Sequence, residues 1–232
     1  MSHINRRTLF LAGAAGLAAL AGCGSRPQVP ALPRAPLTRV RVLPVTSPDR
    51  FYTYNNWVGG LLWSSIANRV KTNLFDEKME VQRKAMGPKM TAALITALRA
   101  AGCDADIIPV PARYRDADYV DVTKLPTTDP VLYAQFGETG MDSARFSSFY
   151  LPRLSIGATL SSVPAGDTLA SSYPRYGADA KANAEGSIEA EARFRFPDFD
   201  ALMNRTSDVI DSFDAGIQKL AQHVVRDIRN QY

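Results

Sequence analysis

Few residues in this sequence have the chemistry of an active site. Its histidines and cysteines number two each, and one histidine, His223, has a carboxylate one helical turn later, at Asp227. A histidine oriented by an aspartate can act as a general base. However, no nucleophile can be placed beside it, and the sequence has no phosphate-binding glycine loop, Gly-x-Ser-x-Gly elbow or metal-spaced Cys/His set. The sequence therefore predicts a protein that is not an enzyme, with no cofactor and no metal, and places His223 on a surface helix.

The first 23 residues have the pattern of a secretory signal peptide. Arg6 and Arg7 make the start positive, and a run of mostly Leu, Ala and Gly then extends from Leu9 to Ala21. This run is too short to cross a hydrocarbon core of roughly 30 Å, which needs about 20 apolar residues. The pattern therefore favours an exported protein over one held by a transmembrane helix.

The tetrad Leu20-Ala21-Gly22-Cys23 resembles the lipobox of bacterial lipoproteins. The resemblance implies that the Cys23 thiol is diacylated, that the signal 1–22 is removed, and that the new amino terminus is usually acylated as well. The protein would then attach to a membrane through acyl chains on Cys23. Two or three chains anchor stably, whereas one chain is marginal at about 0.8 kcal/mol per buried methylene.

The residues around this tetrad bear on where the protein goes. Gly24, not Asp, follows the cysteine, and by resemblance to lipoprotein sorting this favours the bacterial outer membrane, with the protein facing the periplasm. Anchoring in the inner membrane stays open. Residues 5–11 resemble a twin-arginine export signal, although Asn5 replaces the usual Ser or Thr and Phe10 comes one position late. General and twin-arginine export therefore both stay open.

A proline-rich tether follows, so that the chain divides into a signal peptide (1–22), the lipidated cysteine with its tether (23–37) and one globular domain (38–232). The tether has a proline at every third position, namely Pro27, Pro30, Pro33 and Pro36. Polyproline II has three residues per turn, so the prolines would line one edge of an extended segment. At about 3.1 Å per residue such a segment reaches roughly 40 Å. We expect it to hold the domain away from the membrane.

The composition of the chain excludes one broad class of partner. Apolar residues make up 46% and charged residues 22% of the sequence, which is ordinary for a soluble globular domain. The formal net charge is only +4, and charges of both signs are scattered. A nucleic-acid role is therefore not expected. Cys103 has no cysteine partner once Cys23 is acylated, and we expect it to be a small buried residue.

The globular domain begins with a β-α-β pattern. Residues 38–45 alternate polar and β-branched side chains, and residues 105–110 form a short apolar run, so both are predicted strands. Between them, an apolar stripe over 87–101 predicts a helix, with Pro88 in its first turn and Gly102 as its C-terminal cap. This order is a β-α-β arrangement, and if the two strands are neighbours and parallel, the crossover between them should be right-handed.

The rest of the domain predicts further strands and a long final helix. Alternation or apolar runs indicate strands at 117–125, 153–161, 168–173 and 187–196, and helical spacing indicates helices at 56–70 and 198–229. The final stripe runs through Phe213 and Leu220, so one face of that helix must be buried. The predicted fold class is α+β, a mixed sheet with an N-terminal β-α-β unit, antiparallel strands and a long C-terminal helix.

Aromatic residues are concentrated where the pattern is least regular. Residues 126–151 show no clear period and are predicted to be a long loop, a kind of loop that is usually functional or mobile. Aromatic side chains dominate protein interfaces. The candidate partner-binding residues are Phe51, Tyr52, Tyr54, Trp57, Phe146 and Phe149.

Two classes of function are consistent with these features. The order of elements is similar to that of accessory lipoproteins of envelope transporters and of the curli-secretion lipoprotein group. This resemblance implies a non-catalytic accessory or assembly subunit of an envelope transport or secretion system, with an envelope protein or a second copy of itself as partner. The alternative is a periplasmic enzyme or small-ligand binder with a site near the 126–151 loop.

Overall fold

The computed structural model describes residues 36–55, 61–109, 121–143, 149–178, 180–181 and 184–232, with only the backbone described for 61–66. All of these residues belong to the second of two compact units of the chain, Pro36–Tyr232. The predicted signal peptide, Cys23 and nearly all of the tether lie outside the described residues.

The described residues form strands of one mixed sheet and helices that pack against it. In chain order the elements are β1 (Arg39–Val42), β2 (Tyr52–Asn55), α1 (Leu61–Lys78), α2 (Glu80–Ala100), β3 (Asp104–Ile107), β4 (Val131–Ser143), β5 (Tyr150–Ser161), β6 (Thr168–Ser172), β7 (Arg175–Gly177), β8 (Ser187–Ile188), α3 (Phe199–Asn204) and α4 (Thr206–Gln231). Short 3₁₀ helices lie at Val122–Lys124 and Ala192–Phe194.

The order of strands in the sheet is β3-β1-β4-β5-β7-β8, with β2 also beside β4 and β6 also beside β5. The first strand, β1, is parallel to both of its neighbours, β3 and β4. The long strands β4 and β5 form an antiparallel pair with an irregularity between Phe136 and Thr139. This mixed sheet, with a β-α-β unit first and a long helix last, confirms the predicted α+β class.

The start of the predicted helix at residue 87 is wrong, because α2 begins at Glu80 and Pro88 lies in its interior. Proline has no N–H, so it leaves the carbonyl of Lys84, four residues earlier, without its helical partner. The Ser47 hydroxyl donates a hydrogen bond of 2.7 Å to that carbonyl and accepts one of 3.0 Å from the N–H of Gly87. The segment before β2 therefore repairs the break in the helix.

The long final helix is confirmed, with one interruption at Arg205 that divides it into α3 and α4. Asp198 caps α3 by accepting a 2.7 Å hydrogen bond from the N–H of Ala201. Phe213 and Leu220 are fully buried, as the apolar stripe predicts. Close contact with the sheet requires Gly216, since a Cβ there would lie 2.8 Å from the Tyr176 ring.

The predicted loop over 126–151 is wrong, because most of its described part is the strand β4 and the start of β5. Residues 144–148 lie outside the described residues. The sequence shows no regular alternation here because β4 contains an irregularity after Phe136, which shifts the register of β4 against β5. A one-residue shift reverses which side chains face the core, so no single alternating pattern can run through the strand.

The predicted strand at 187–196 is also wrong beyond its first two residues. β8 ends at Ile188, a 3₁₀ turn follows at Ala192–Phe194, and only Phe196 rejoins the sheet, by a bridge to Tyr150. The alternation there reflects burial and not strand pairing, since Phe194 and Phe196 are buried while Arg195 between them is exposed.

Of two shorter predictions, one differs from the structure and the other is confirmed over its described part. Of the predicted strand 117–125, the described part is a 3₁₀ turn at Val122–Lys124, and residues 117–120 are not described. The predicted helix at 56–70 is confirmed from Leu61, continues to Lys78, and lies partly outside the described residues at its start.

Candidate contact surface on the open face of the sheet

The two faces of the sheet have different surroundings. On β5 the alternate residues Leu154, Ile156 and Ala158 are buried in the hydrophobic core beneath the helices. The residues between them, such as Arg153 and Ser155, are only partly buried. We call this second face the open face. It is the surface on which side chains of β2, β4 and β5 can meet a partner.

Tyr52 and Tyr54 of β2 project on the open face. The strand register aligns Tyr52 with Gly140 of β4, and Gly140 in turn with Arg153 of β5. The two tyrosines are 55% and 52% exposed. A Cβ at residue 140 would clash with the backbone of Tyr52, so glycine at this position is what allows β2 to pair so closely with β4.

Helix α1 fixes β2 in place through a row of polar side chains. Asn68, Thr72 and Asp76 are spaced four residues apart and therefore lie on one face of the helix. They accept hydrogen bonds from the backbone N–H groups of every second residue in the segment from Phe51 to Asn55. The three bonds are Asn55 to Asn68 at 3.3 Å, Thr53 to Thr72 at 3.0 Å and Phe51 to Asp76 at 2.8 Å.

The spacing of these bonds explains how side chains on a helix can bind successive backbone groups along the edge of a strand. Four helical residues rise about 6.0 Å, and two strand residues rise about 6.6 Å. Thr72 and Asn68 also donate to the carbonyl oxygens of Thr53 and Asn55. The helix thus occupies the position of a neighbouring strand, which protects an edge that would otherwise pair with other chains.

Several charged groups of the open face form ion pairs. Arg153 contacts both Glu138 and Asp142 of the adjacent strand β4. Near the other end of the sheet, Arg41 is 2.9 Å from Asp129. These ion pairs offset charge at their own positions, and Tyr52 and Tyr54 add exposed aromatic surface to the same face.

Of the six predicted contact residues, one is in the core. Phe51 is fully buried, with its ring 4.9 Å from that of Phe213 and 5.8 Å from that of Phe75. Its place in the aromatic stretch gave no sign of this, but alternation along β2 explains it, since Phe51 and Thr53 point inward when Tyr52 points outward. Phe51 therefore stabilises the fold and cannot meet a partner.

The other predicted contact residues divide between described and undescribed segments. Phe149 is 37% exposed and its ring lies under the Arg195 guanidinium, 4.3 Å from the ring centroid. Trp57 and Phe146 lie outside the described residues. The sequence analysis missed Tyr173, which is 68% exposed and lies against the open face at Gly157. A lone tyrosine beside a proline carries no signal that could have identified it.

His223 lies on α4, as predicted, but it is more enclosed than a surface histidine. Its Nε2 is 3.3 Å from Asp227, and the Ser172 hydroxyl donates a 2.6 Å hydrogen bond to the same carboxylate. Arg226 lies within 2.7 Å of His223 Nδ1. Burial lowers the pKa of His223, and Arg226 lowers it further, while Asp227 and Glu185 oppose the shift.

This arrangement differs from that of a serine hydrolase. In a hydrolase the histidine lies between serine and aspartate and takes the serine proton. Here the aspartate lies between Ser172 and His223, and Ser172 is only 3% exposed. The cluster therefore joins the end of α4 to the strand β6, a structural role that its hydrogen bonds explain.

The remaining features that bear on function are the Cys103 thiol, possible metal ligands and the character of the helices. Cys103 is buried, as predicted, with its thiol 3.2 Å from the Leu37 carbonyl, and burial raises its pKa. Within the described ranges, no set of three or more His, Cys, Asp or Glu residues could hold a metal ion. None of the helices in the part of the chain that the structure describes has the length and apolar character to cross a membrane.

Comparison with known proteins gives structural likenesses only. No family model and no curated protein matches the sequence. Protein XCC0632 from Xanthomonas campestris aligns with a TM-score of 0.45 and 12% identity, over 86% of this chain and 91% of its own. Lipoprotein GNA1162 from Neisseria meningitidis aligns with a TM-score of 0.32 and 15% identity, over 77% and 99% respectively.

A further solved structure, a neuraminyllactose-binding hemagglutinin homolog from Helicobacter pylori, aligns with a TM-score of 0.31 and 10% identity, over 82% of this chain and 90% of its own. Because these three TM-scores are all below 0.5, the likenesses carry no argument about function.

Proposed function

We propose that the protein is a lipid-anchored lipoprotein of the bacterial cell envelope. It serves as a non-catalytic accessory or assembly subunit of an envelope transport or secretion system. The anchor is the acylated Cys23, which the tetrad Leu20-Ala21-Gly22-Cys23 supports. We place it in the outer membrane, facing the periplasm, on the basis of Gly24. The domain works by contact with another envelope protein or with a second copy of itself.

The observation that carries the contact role is the position of Tyr52 and Tyr54. Both are about half exposed on one side of a strand whose backbone is held on both edges, by β4 and by α1. A rigid strand presents these rings with little conformational freedom left to lose on binding. Tyrosine is enriched among the residues that dominate binding energy, because it buries a large area at small entropic cost.

The anchor is tested by labelling the cysteine. Cys23→Ser removes the thiol, so the variant chain should take up no palmitate analogue and should stay uncleaved or become soluble. Full-length protein labelled in cells and separated on a gel provides the measurement. Unchanged labelling of the variant would reject lipidation at Cys23.

The contact role is tested by photocrosslinking in intact envelopes. A photoreactive phenylalanine analogue replaces Tyr54 in one full-length chain and Val70 in another. Val70 is a matched control, since it is 54% exposed on α1 but not on the open face. We expect a discrete adduct from position 54 that is absent from position 70, and loss of that adduct when Tyr52→Ala is added. Equal adducts from both positions would reject the open face as the contact surface.

A catalytic role would give the opposite result at His223. His223→Ala should leave the cellular phenotype unchanged if the protein works by contact. If that variant abolished the phenotype while circular dichroism and the position-54 adduct were preserved, an enzyme would become the better explanation.

A further inference from the structure

The helical layer carries a groove that the proposed function does not use. It has a volume of about 600 Å³ and lies between the C-terminal halves of α2 and α4. The two helices run side by side in the same direction, since Lys89 of α2 lies 2.7 Å from Asp214 of α4 and, further along both helices, Ala101 and Asn230 both line the groove. Both helices then continue to their C-terminal ends along its two walls.

The wall formed by α2 is made of small side chains at helical spacing. The lining residues of α2 are Ala93, Thr96, Ala97, Ala100 and Ala101. The nine residues from the first of these positions to the last rise about 12 Å, or roughly two helical turns. Methyl side chains allow another helix to approach to the short end of the interaxial range, about 8 Å. The shape therefore fits a helix lying in the groove.

The wall formed by α4 is polar and positively charged. It is lined by Gln218, Gln222, Val225, Arg226, Arg229 and Asn230. No acidic residue lines the groove, and Arg229 has no ion-pair partner among the described residues. Arg226 contacts His223 and lies 3.9 Å from Asp227, yet its side chain remains 63% exposed. The side chains that line the groove therefore carry net positive charge, which favours binding of a negatively charged ligand.

We propose that the α2–α4 groove binds an amphipathic helix of a partner protein, one with small or aliphatic residues on its contact face and acidic residues beside Arg226 and Arg229. A second copy of this chain does not satisfy the groove through the same surface, because its own arginines would meet these two. The groove lies in the helical layer, whereas Tyr52 and Tyr54 lie on the other face of the sheet. The domain thus has two separate binding surfaces and can bridge two partners.

The test uses the purified full chain and two synthetic peptides of about 18 residues, roughly five helical turns. Both peptides carry the same alanine and leucine stripe, one flanked by glutamates and the other by lysines. We expect the glutamate peptide to bind about tenfold more tightly at low salt, with the advantage falling as salt rises, since the two arginines are exposed. Fluorescence anisotropy measures both affinities.

Matched variants assign the binding to the groove. Ala100→Leu fills it and should weaken the glutamate peptide at least fivefold, whereas Ala92→Leu, on an exposed part of α2 outside the groove, should not. Arg226→Gln with Arg229→Gln should remove the preference for glutamate. Arg69→Gln with Arg175→Gln removes the same charge elsewhere and should preserve it.

Several results would overturn the inference. These are equal binding of both peptides by the unaltered chain, equal effects of Ala100→Leu and Ala92→Leu, or a chain that dimerises through the groove and binds neither peptide. Displacement of the peptide by single-chain fatty acid at equimolar concentration would instead identify an acyl-chain site and overturn it too. None of these outcomes depends on crosslinking at Tyr54, so the groove and the proposed function can fail separately.

Discussion

The two faces of the sheet show how one set of strands can serve stability on one side and recognition on the other. The covered face holds side chains such as Leu154 and Ile156, which are almost completely removed from water. The open face holds Tyr52 and Tyr54, which keep about half of their surface in water. Side chains that lose little solvent-exposed surface on folding still have that surface to bury against a partner. The comparison predicts that substitutions on the two faces separate stability from partner contact.

The largest effect is expected on the covered face, at Phe213. Its ring is fully buried, 4.9 Å from that of Phe51. Truncating a buried phenylalanine costs about 3–5 kcal/mol, through lost transfer free energy and the cavity left behind. Phe213→Ala should therefore lower the Tm strongly and the free energy of unfolding by that amount.

Chemical denaturation of the full chain measures the free energy of unfolding, and Phe149→Ala is the control. Its ring is 37% exposed, so less burial is lost. Equal losses from the two variants would show that burial does not distinguish these positions.

A smaller effect is expected where α1 meets the edge of β2. Thr72→Val keeps the shape of the side chain but removes the hydroxyl that serves both the N–H and the carbonyl of Thr53. A buried backbone group left unsatisfied costs about 1–3 kcal/mol. We expect a loss in that range, together with faster amide hydrogen exchange at Thr53.

Thr96→Val provides the matched control, because Thr96 is exposed on α2. It should change the free energy of unfolding by less than about 0.5 kcal/mol. If Thr72→Val proved equally mild, water would be satisfying the edge of β2 and α1 would not be substituting for a strand.

Sequence reasoning recovered the elements whose pattern has one dominant cause. The stripe through Phe213 and Leu220 predicted the final helix, since a long helix with one buried face must repeat about every 3.6 residues. The N-terminal β-α-β unit was predicted from two strand patterns with a helical segment between them. Both are elements in which local spacing and tertiary burial agree.

The failures occur where tertiary contacts replace a local signal. Pro88 indicates a helix start unless a distant side chain, here Ser47, satisfies the freed carbonyl. The register shift in β4 breaks alternation, and burial of Phe194 and Phe196 imitates a strand. Of the candidate site, Tyr52 and Tyr54 could be identified from residue type, whereas the inward orientation of Phe51 required knowing that β2 is a strand.

A pH-dependent effect is expected at the junction of α4 and β6. Burial lowers the pKa of His223 below its ordinary value, so the unfolded chain binds the proton more readily than the folded one. The contribution of His223 is therefore fully present above an unfolded pKa of about 6.5, and it declines as pH falls through the lowered folded value.

The free energy of unfolding measured between neutral and mildly acidic pH should fall less steeply in His223→Gln than in the unaltered chain. Asp104→Asn serves as control, since Asp104 is exposed on β3 and pairs with the exposed Arg39. A slope unchanged by His223→Gln would assign the pH dependence to other groups.

The smallest effect on stability is expected at Tyr52, on the open face. Its aligned neighbour on β4 is Gly140, so Tyr52→Ala removes no cross-strand pair of side chains. Its backbone bonds to β4 do not depend on the side chain. A surface substitution of this kind changes the free energy of unfolding by within about 0.5 kcal/mol. Equilibrium denaturation checks this, and a loss as large as that of Thr72→Val would show that the ring supports the fold. In that case the loss of the adduct at position 54 in the Tyr52→Ala chain could no longer be assigned to lost contact.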